Sequence, residues 1–292
     1  MYAGVDIGGT KTLVASLDNN GVITQKIRFE TPKTYLAFIK QFKLAVQQLK
    51  VTDFVAGGVG APGKIDRRDG SGIWFGNLSW KNVPLDHDIE QILECPIIVE
   101  NDAKMAALSE AMMLKHTYNK VLYVTVSTGI GYGLVVNRTI DSAIGDGGGR
   151  KMLVEHHGKL VPWESFASGR AIVARYGKRA EDIHDQKTWR LIVKDLKPGL
   201  LQLIAIAEPE VIVIGGSVGT YFDRYGKLLT EELAAYKTPL VSLPDFCAAA
   251  RPEEAVLFGC YDLAKATFST PKPHTRRPGQ KPTQKAAERT QA

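Results

Sequence analysis

"GVDIGGTKTLVASLD", residues 4–18, decides how the chain begins. A Walker-type phosphate loop places G-x-x-x-x-G-K-[ST] between a strand and a helix. Gly4 and Gly9 have that separation, but Thr10 stands where the lysine belongs and Lys11 follows one residue late. The sequel is also wrong for a helix. Leu13-Val14-Ala15-Ser16-Leu17 is apolar and partly β-branched, and Asp18-Asn19-Asn20-Gly21 is a strong turn signal. The glycines are therefore expected to join two strands in a tight hairpin. Such a hairpin can still cradle phosphate, because glycines let neighbouring backbone N–H groups converge on an anion.

The same device returns in "KVLYVTVSTGIGYGLVVNRTI", residues 120–140. Its Ser127-Thr128-Gly129-Ile130-Gly131 turn is the counterpart of Asp6-Ile7-Gly8-Gly9-Thr10, about 120 residues earlier, a period too long for a solenoid. Two related α/β domains facing a cleft are expected, each offering a glycine hairpin to one ligand. Strand-like runs cover 2–6, 12–18, 22–30 and 53–60. A helix is expected over about 33–49, capped by Thr31 or Thr34. A Gly-, Asp- and Trp-rich loop covers 61–84, and the short helix "DHDIEQILE" follows. "PIIVEND" reads as a strand and "AKMAALSEAMMLK" as a helix. Further helices are expected over 163–176 and 188–207, from about Tyr221, and over 253–268, with "EVIVIGGSVG" a buried strand entering a glycine turn.

Apolar content of 44% and charged content of 23% are ordinary for a globular chain of 292 residues. No apolar run reaches the roughly 18 residues of a membrane span, and no signal-peptide pattern opens the sequence. Cys95, Cys247 and Cys260 form neither a disulfide framework nor a C-x-x-C pattern, so a cytoplasmic setting is expected. Most of the net charge of +6 sits in residues 271–292, with six Lys or Arg, one Glu and four prolines. Residues 270–292 are read as a disordered basic tail, either touching anionic surfaces or simply solvated. The basic charge is not on a folded face, which argues against specific nucleic-acid binding.

Taken in order, "DIGGTKT", "GAPGKID", "GNLSWKNVPL", "ENDAKMAAL", "VSTGIGYGLV", "WESFASGRAI" and "EVIVIGGSV" resemble the ROK family (repressor, open reading frame, kinase) over about residues 2–268. The resemblance implies an α/β, two-domain actin-like ATPase (ribonuclease H-like) fold with a cleft between domains. Residues 1–116 would form the first domain and 117–252 the second, with helix 253–268 packing back on the first. It also implies a glucokinase-like sugar kinase using ATP and Mg²⁺, a small-molecule sugar as partner, and a homodimer.

A phosphoryl transferase must hold the triphosphate and the metal and present a hydroxyl to a base. Asp6 ends a strand at the first hairpin, a place for a hard oxygen ligand of Mg²⁺, through water. Gly8, Gly9 and Thr10 would bind phosphate, with Thr128, Gly129 and Gly131 meeting it from the other side. Lys11 either adds charge there or is a solvated surface residue. Gly215 and Gly216 resemble the family's adenosine-contacting turn, or make a tight strand-to-helix joint. Asp102 resembles the family's general base, the competing reading being a helix cap. Asn77 and Asn101 resemble sugar-hydroxyl contacts, though Asn77 also reads as a plain loop residue. Glu164 resembles a carboxylate gripping the sugar near its anomeric end, or is a first-turn acid favoured by the helix dipole.

One segment departs from the pattern. Where the family carries G-E-x-G-H, this chain reads "GGGRKMLV", with Gly148 at the Glu position and Lys151 at the His position. The family's cysteine cluster is replaced by "EHHGKLVPWES", so no structural zinc is expected, and adjacent His156 and His157 are expected to point apart. Loss of a sugar carboxylate should weaken or change sugar selection, with Arg150 and Lys151 favouring an anionic group. The rivals to the kinase are a degenerate sugar sensor and a repressor, the latter disfavoured because the chain opens on its first strand. Polyphosphate is the rival donor to ATP.

Overall fold

The computed structural model describes residues 1–269; the basic tail read from the sequence lies outside the described residues. β1 (Tyr2–Ile7) and β2 (Lys11–Leu17) are buried along almost their whole length. They pair antiparallel down to Ile7 opposite Thr12, which leaves Gly8, Gly9 and Thr10 as the turn. β3 (Ile23–Glu30) is the half-exposed edge strand beside β2. Thr34 precedes α1 (Tyr35–Val46) at the cap position but makes no side-chain cap bond. β4 (Ala56–Ala61) runs parallel to β1.

The stretch expected to be loop contains a separate three-stranded sheet: β5 (Lys64–Asp66), β6 (Ser71–Trp74) and β7 (Lys81–Val83). Strands this short carry too few residues for an alternating pattern to stand out. α2 (Leu85–Leu93), β8 (Ile97–Asn101) and α3 (Asp102–Met113) follow. The main sheet has the order β3-β2-β1-β4-β8.

The second half repeats this plan. β9 (Lys120–Val126) and β10 (Ile130–Val136) form the antiparallel pair, with β11 (Thr139–Ile140) at the edge. A short helix, α4 (Gly148–Lys151), and an unexpected hairpin of β12 (Leu153–His156) and β13 (Lys159–Pro162) come next. The helix expected over 163–176 is broken into α5 (Glu164–Ala167) and α6 (Gly169–Tyr176). Ser168 causes the break: its Oγ accepts the Ala171 N–H at 3.3 Å, capping the second helix. α7 (Gln186–Ala207), β14 (Val211–Gly215), α8 (Gly216–Gly219), α9 (Gly226–Ala234) and β15 (Asp245–Ala248) complete the unit. Its sheet order is β11-β10-β9-β14-β15, with β14 parallel to both β9 and β15. Order and strand direction match the first sheet position for position.

Each half has its own apolar core, around Phe38, Phe42 and Trp80 in the first and Trp163, Trp189 and Tyr225 in the second. α3 is buried on every side from Ala103 to Ala111 and packs on β10 as well as on the first half. The last helix, α10 (Ala255–Phe268), returns to the first half and lies on α3, β1 and β4. Its Gly259 faces the Met105 carbonyl so closely that no Cβ fits. Gly259→Val should therefore force these helices apart and cost about 1–3 kcal/mol of stability, read as a lowered melting temperature. Unchanged melting would mean that the two helices separate freely there. Among the described residues no helix is long and apolar enough to cross a membrane.

Candidate active site

The floor of the cleft is built where β1 and β8 end. Asp6 is the penultimate residue of β1 and lies opposite Gly60 on β4. Asn101 closes β8, and Asp102 opens α3. The capping role falls to Asn101, not Asp102. Asn101 Oδ1 accepts the Ala103 and Lys104 N–H groups at 3.1 and 3.3 Å, while its Nδ2 donates to the Gly63 carbonyl at 3.0 Å. That leaves one amide hydrogen of Asn101 for another partner. The Asp102 carboxylate accepts the Ala103 N–H at 2.8 Å and its own backbone N–H. Burial pushes the Asp102 carboxyl up to about 6, with the Asp146 charge adding to the effect. Burial pushes Asp6 up to about 7, raised further by Asp102 and opposed by Lys11. The two carboxylates thus share one electrostatic environment.

The first glycine hairpin is pinned from behind. The Gly8 N–H donates to the Lys11 carbonyl at 2.9 Å, and the Thr31 hydroxyl donates to the Gly8 carbonyl at 2.8 Å. Gly9, Thr10 and Lys11 at its tip are exposed. Asn77 lies against Gly9, near enough that a Cβ there would touch its side chain. In the second hairpin the Ser127 N–H donates to the Gly129 carbonyl at 2.8 Å, and Thr128 is exposed. Gly131 lets the start of α3 approach, since a Cβ there would meet the Ala103 methyl. Gly216 has φ +77 and sits against Thr125 and Val126, so the Gly215–Gly216 turn has a steric reason to be glycine whatever else it does.

Glu164 braces that hairpin. Its Oε2 accepts the Ile130 N–H at 3.0 Å, and its Oε1 stands 3.4 Å from Arg150 Nε. Arg150 reaches across the cleft: it donates to the Gly76 carbonyl at 3.3 Å and lies 5.4 Å from the centre of the Trp74 ring. A pocket of about 370 Å³ opens here, lined by Thr128, Arg150, Glu164, Ser165, Ser168 and Arg170 among others. A rim thus runs from Gly9 through Asn77, Gly76, Arg150 and Glu164 to the second hairpin. Gly148 has φ +51, and an added Cβ would overlap the Ile130 carbonyl, so the backbone is built for a residue without a side chain.

Among the described residues no three His, Cys, Asp or Glu side chains are gathered as a metal cluster would require. His156 and His157 do not point apart as expected. Their ring centres are 4.1 Å apart, because His157 takes a left-handed φ of +52 at the β12–β13 turn, and His156 stacks on Phe166 at 3.9 Å.

Sequence reasoning missed a buried ionic group beside Asp102. Glu100 pairs with Arg67 and accepts its Nε–H at 2.7 Å, and Arg67 donates to Asp146 at 2.8 and 3.2 Å. Lys104 Nζ lies 3.3 Å from Asp146 Oδ1. The available signal was Lys104 itself, a charge within the apolar run of α3.

The family model described as "ROK family" matches residues 2–267. A glucokinase of Streptomyces coelicolor is 26% identical, the alignment spanning 90% of this chain and 96% of that protein. A glucokinase of Halalkalibacterium halodurans is 29% identical, over 82% and 87%. The crystal structure of a ROK family glucokinase from Streptomyces griseus, in complex with glucose and AMPPNP, superposes with a TM-score of 0.77 at 24% identity. That superposition spans 91% of this chain and 99% of the other. The likeness in shape extends over both glycine-hairpin sheets, and the sequence match runs from the first strand almost to the end of the last helix: the chain belongs to the ROK family.

Proposed function

We propose that the protein transfers the γ-phosphoryl group of ATP to a hydroxyl of a hexose-like sugar, with Asp102 as general base. The observation that carries this reading is the meeting of Asp102 and Asp6 at the cleft floor, between two exposed glycine hairpins. The Asp102 carboxylate accepts backbone N–H groups of its own turn, Ala103 foremost, and among the described residues no side chain claims it, which leaves it able to take a hydroxyl proton. With the Gly8 N–H held by the Lys11 carbonyl, the backbone donors for phosphate fall to Gly9 and Thr10 at one tip and to Thr128 and Gly129 at the other. Asn77, the spare amide hydrogen of Asn101 and Glu164 would contact the sugar, and Gly215–Gly216 would contact the adenosine. The Streptomyces griseus protein's binding of glucose and AMPPNP supports ATP and a sugar as the two substrates.

A half-buried carboxylate whose proton affinity is raised by burial and by the neighbouring Asp102 charge suits a hard dication, and Asp6 would hold Mg²⁺ through water. When bound, that ion neutralises charge on the transferring phosphates. The protein's own part is to orient the hydroxyl, accept its proton at Asp102 and exclude water as the cleft closes.

The deciding experiment is ADP release from ATP and Mg²⁺ with a panel of neutral, amino, N-acetylated and acidic sugars. Sugar-dependent release supports the kinase. Sugar binding without turnover would favour a sugar sensor, the reading suggested by Gly148 in place of a carboxylate. The acidic sugars test whether Arg150 selects an anion, although Glu164 already offsets that guanidinium.

The pH profile has a definite sign. Asp102 must be ionised to accept a proton, and its environment (burial and the Asp146 charge) disfavours ionisation. kcat/KM should therefore rise with pH and level off above about 6, not near the ordinary aspartate value of about 4. A profile flat down to pH 5 would rule out this environment for the base.

A further inference from the structure

Four charged side chains that the phosphoryl-transfer reading does not use form a chain around the Asn101–Asp102 corner. Glu100 is 6% exposed, and its Oε1 accepts the Asn101 backbone N–H at 2.6 Å. Arg67, at the end of β5, clamps Glu100 through one edge of its guanidinium and Asp146 through both terminal nitrogens. The Asp146 side chain is 4% exposed and also takes the Ile65 N–H, at 3.4 Å. Lys104 is fully buried, its Nζ makes no hydrogen bond among the described residues, and Asp146 is the carboxylate it faces.

The placement is specific. Glu100 lies two residues before Asp102 and Lys104 two residues after it, so the chain of charges grips the corner at both ends. Three members belong to the first half. Asp146 comes from the second, two residues before Gly148 and four before Arg150. Two cations and two anions balance; the Glu100, Asp146 and Lys104 side chains are removed from water, while Arg67 closes the group from its solvent side. A buried ion whose partner is lost is costly, so the four hold one arrangement or fail together.

We propose that Asp146 is a positioning residue for phosphoryl transfer: through Arg67, Glu100 and Lys104 it pins the α4 loop of the second half to the Asn101–Asp102 corner of the first. This rests on the kinase reading above. Asp146 also lies near enough for its charge to disfavour the ionised form of Asp102, which agrees with its place beside the corner.

The test uses the full chain with Asp146→Asn, Lys104→Met and the double variant. Asp146→Asn keeps the shape and removes the charge that holds Lys104 and Arg67. With the best sugar of the panel, kcat should fall about 10- to 100-fold, the loss a small misplacement of reacting groups produces, while KM for ATP stays within about threefold. The double variant removes one charge of each sign, so it should regain the wild-type melting temperature yet keep the low kcat, because the tie between the halves is still missing. If the double variant regains both melting temperature and kcat, the group is only a balanced buried ion pair and the proposal falls. Full kcat in Asp146→Asn overturns it as well. Amide hydrogen exchange supplies a reading without catalysis: segments 98–104 and 141–151 should exchange faster together in Asp146→Asn, and independent changes would refute the pin. Wild-type protein inert toward every sugar would sink the kinase reading by itself, since exchange still reports the pin.

Discussion

Asp102→Asn is expected to lower kcat by about 10²- to 10⁴-fold, the contribution of a positioned general base, while sugar and nucleotide affinities change by no more than a few-fold. Asparagine has the shape of aspartate and can still accept the Ala103 N–H that Asp102 holds. What it cannot do is take up a proton. The same substitution should leave the melting temperature equal or higher at neutral pH. Burial raises the proton affinity of Asp102 in the folded state, so above about pH 6 the ionised carboxylate opposes folding. Asparagine carries no such charge. Loss of activity with retained or improved stability separates a catalytic base from a structural aspartate. Turnover within tenfold of wild type would remove Asp102 from the chemistry.

Gly148→Glu is expected to harm the protein although it writes in the residue that the ROK pattern has at this position. Gly148 has φ +51, and a Cβ there would run into the Ile130 carbonyl and Gly131. A non-glycine residue in such a conformation costs about 1–3 kcal/mol, and the overlap adds a similar amount. Relief requires moving α4, which carries Arg150 away from Gly76, Trp74 and Glu164. The melting temperature should drop by on the order of 10 °C, and kcat/KM for glucose should fall. A gain of glucose turnover at an unchanged melting temperature would mean that a carboxylate is merely missing and the surrounding backbone is intact. On the proposed reading, the glycine marks a rebuilt corner of the candidate sugar site, with Asp146 close by in the same loop.

The two hairpins were legible because their signals are local. "DIGGTKT" and "STGIG" put glycines between β-branched runs, and both became turns between paired strands. Their repetition also announced the two sheets of equal order. Other features depend on partners far away in sequence. Lys104 and Asp146 are distant along the chain, and nothing in either neighbourhood says that one will be buried against the other. The small sheet of β5, β6 and β7 hides in a glycine-rich segment whose strands are only three or four residues long. Ser168 stopped a helix by a hydrogen bond that its sequence neighbours permitted but did not require. At the floor, β8 runs on through Asn101, so Asn101 makes the cap and Asp102 keeps its carboxylate.

The last helix has a consequence in time. α10 lies on α3, β1 and β4, with Gly259 in contact distance of Met105 and the Tyr261 hydroxyl on the Asn19 carbonyl at 2.8 Å. The first sheet can pair its strands once β8 has been synthesised, but its underside stays bare until Phe268 leaves the ribosome. At about 5–20 residues per second, that interval is on the order of ten seconds or more. During it, the apolar surface that will receive Leu257, Cys260 and Ala264 is open to any passing partner. The nascent chain is therefore most vulnerable to aggregation while its second half is being made, and a ribosome stalled before residue 255 would hold a fully stranded first sheet with one sticky face.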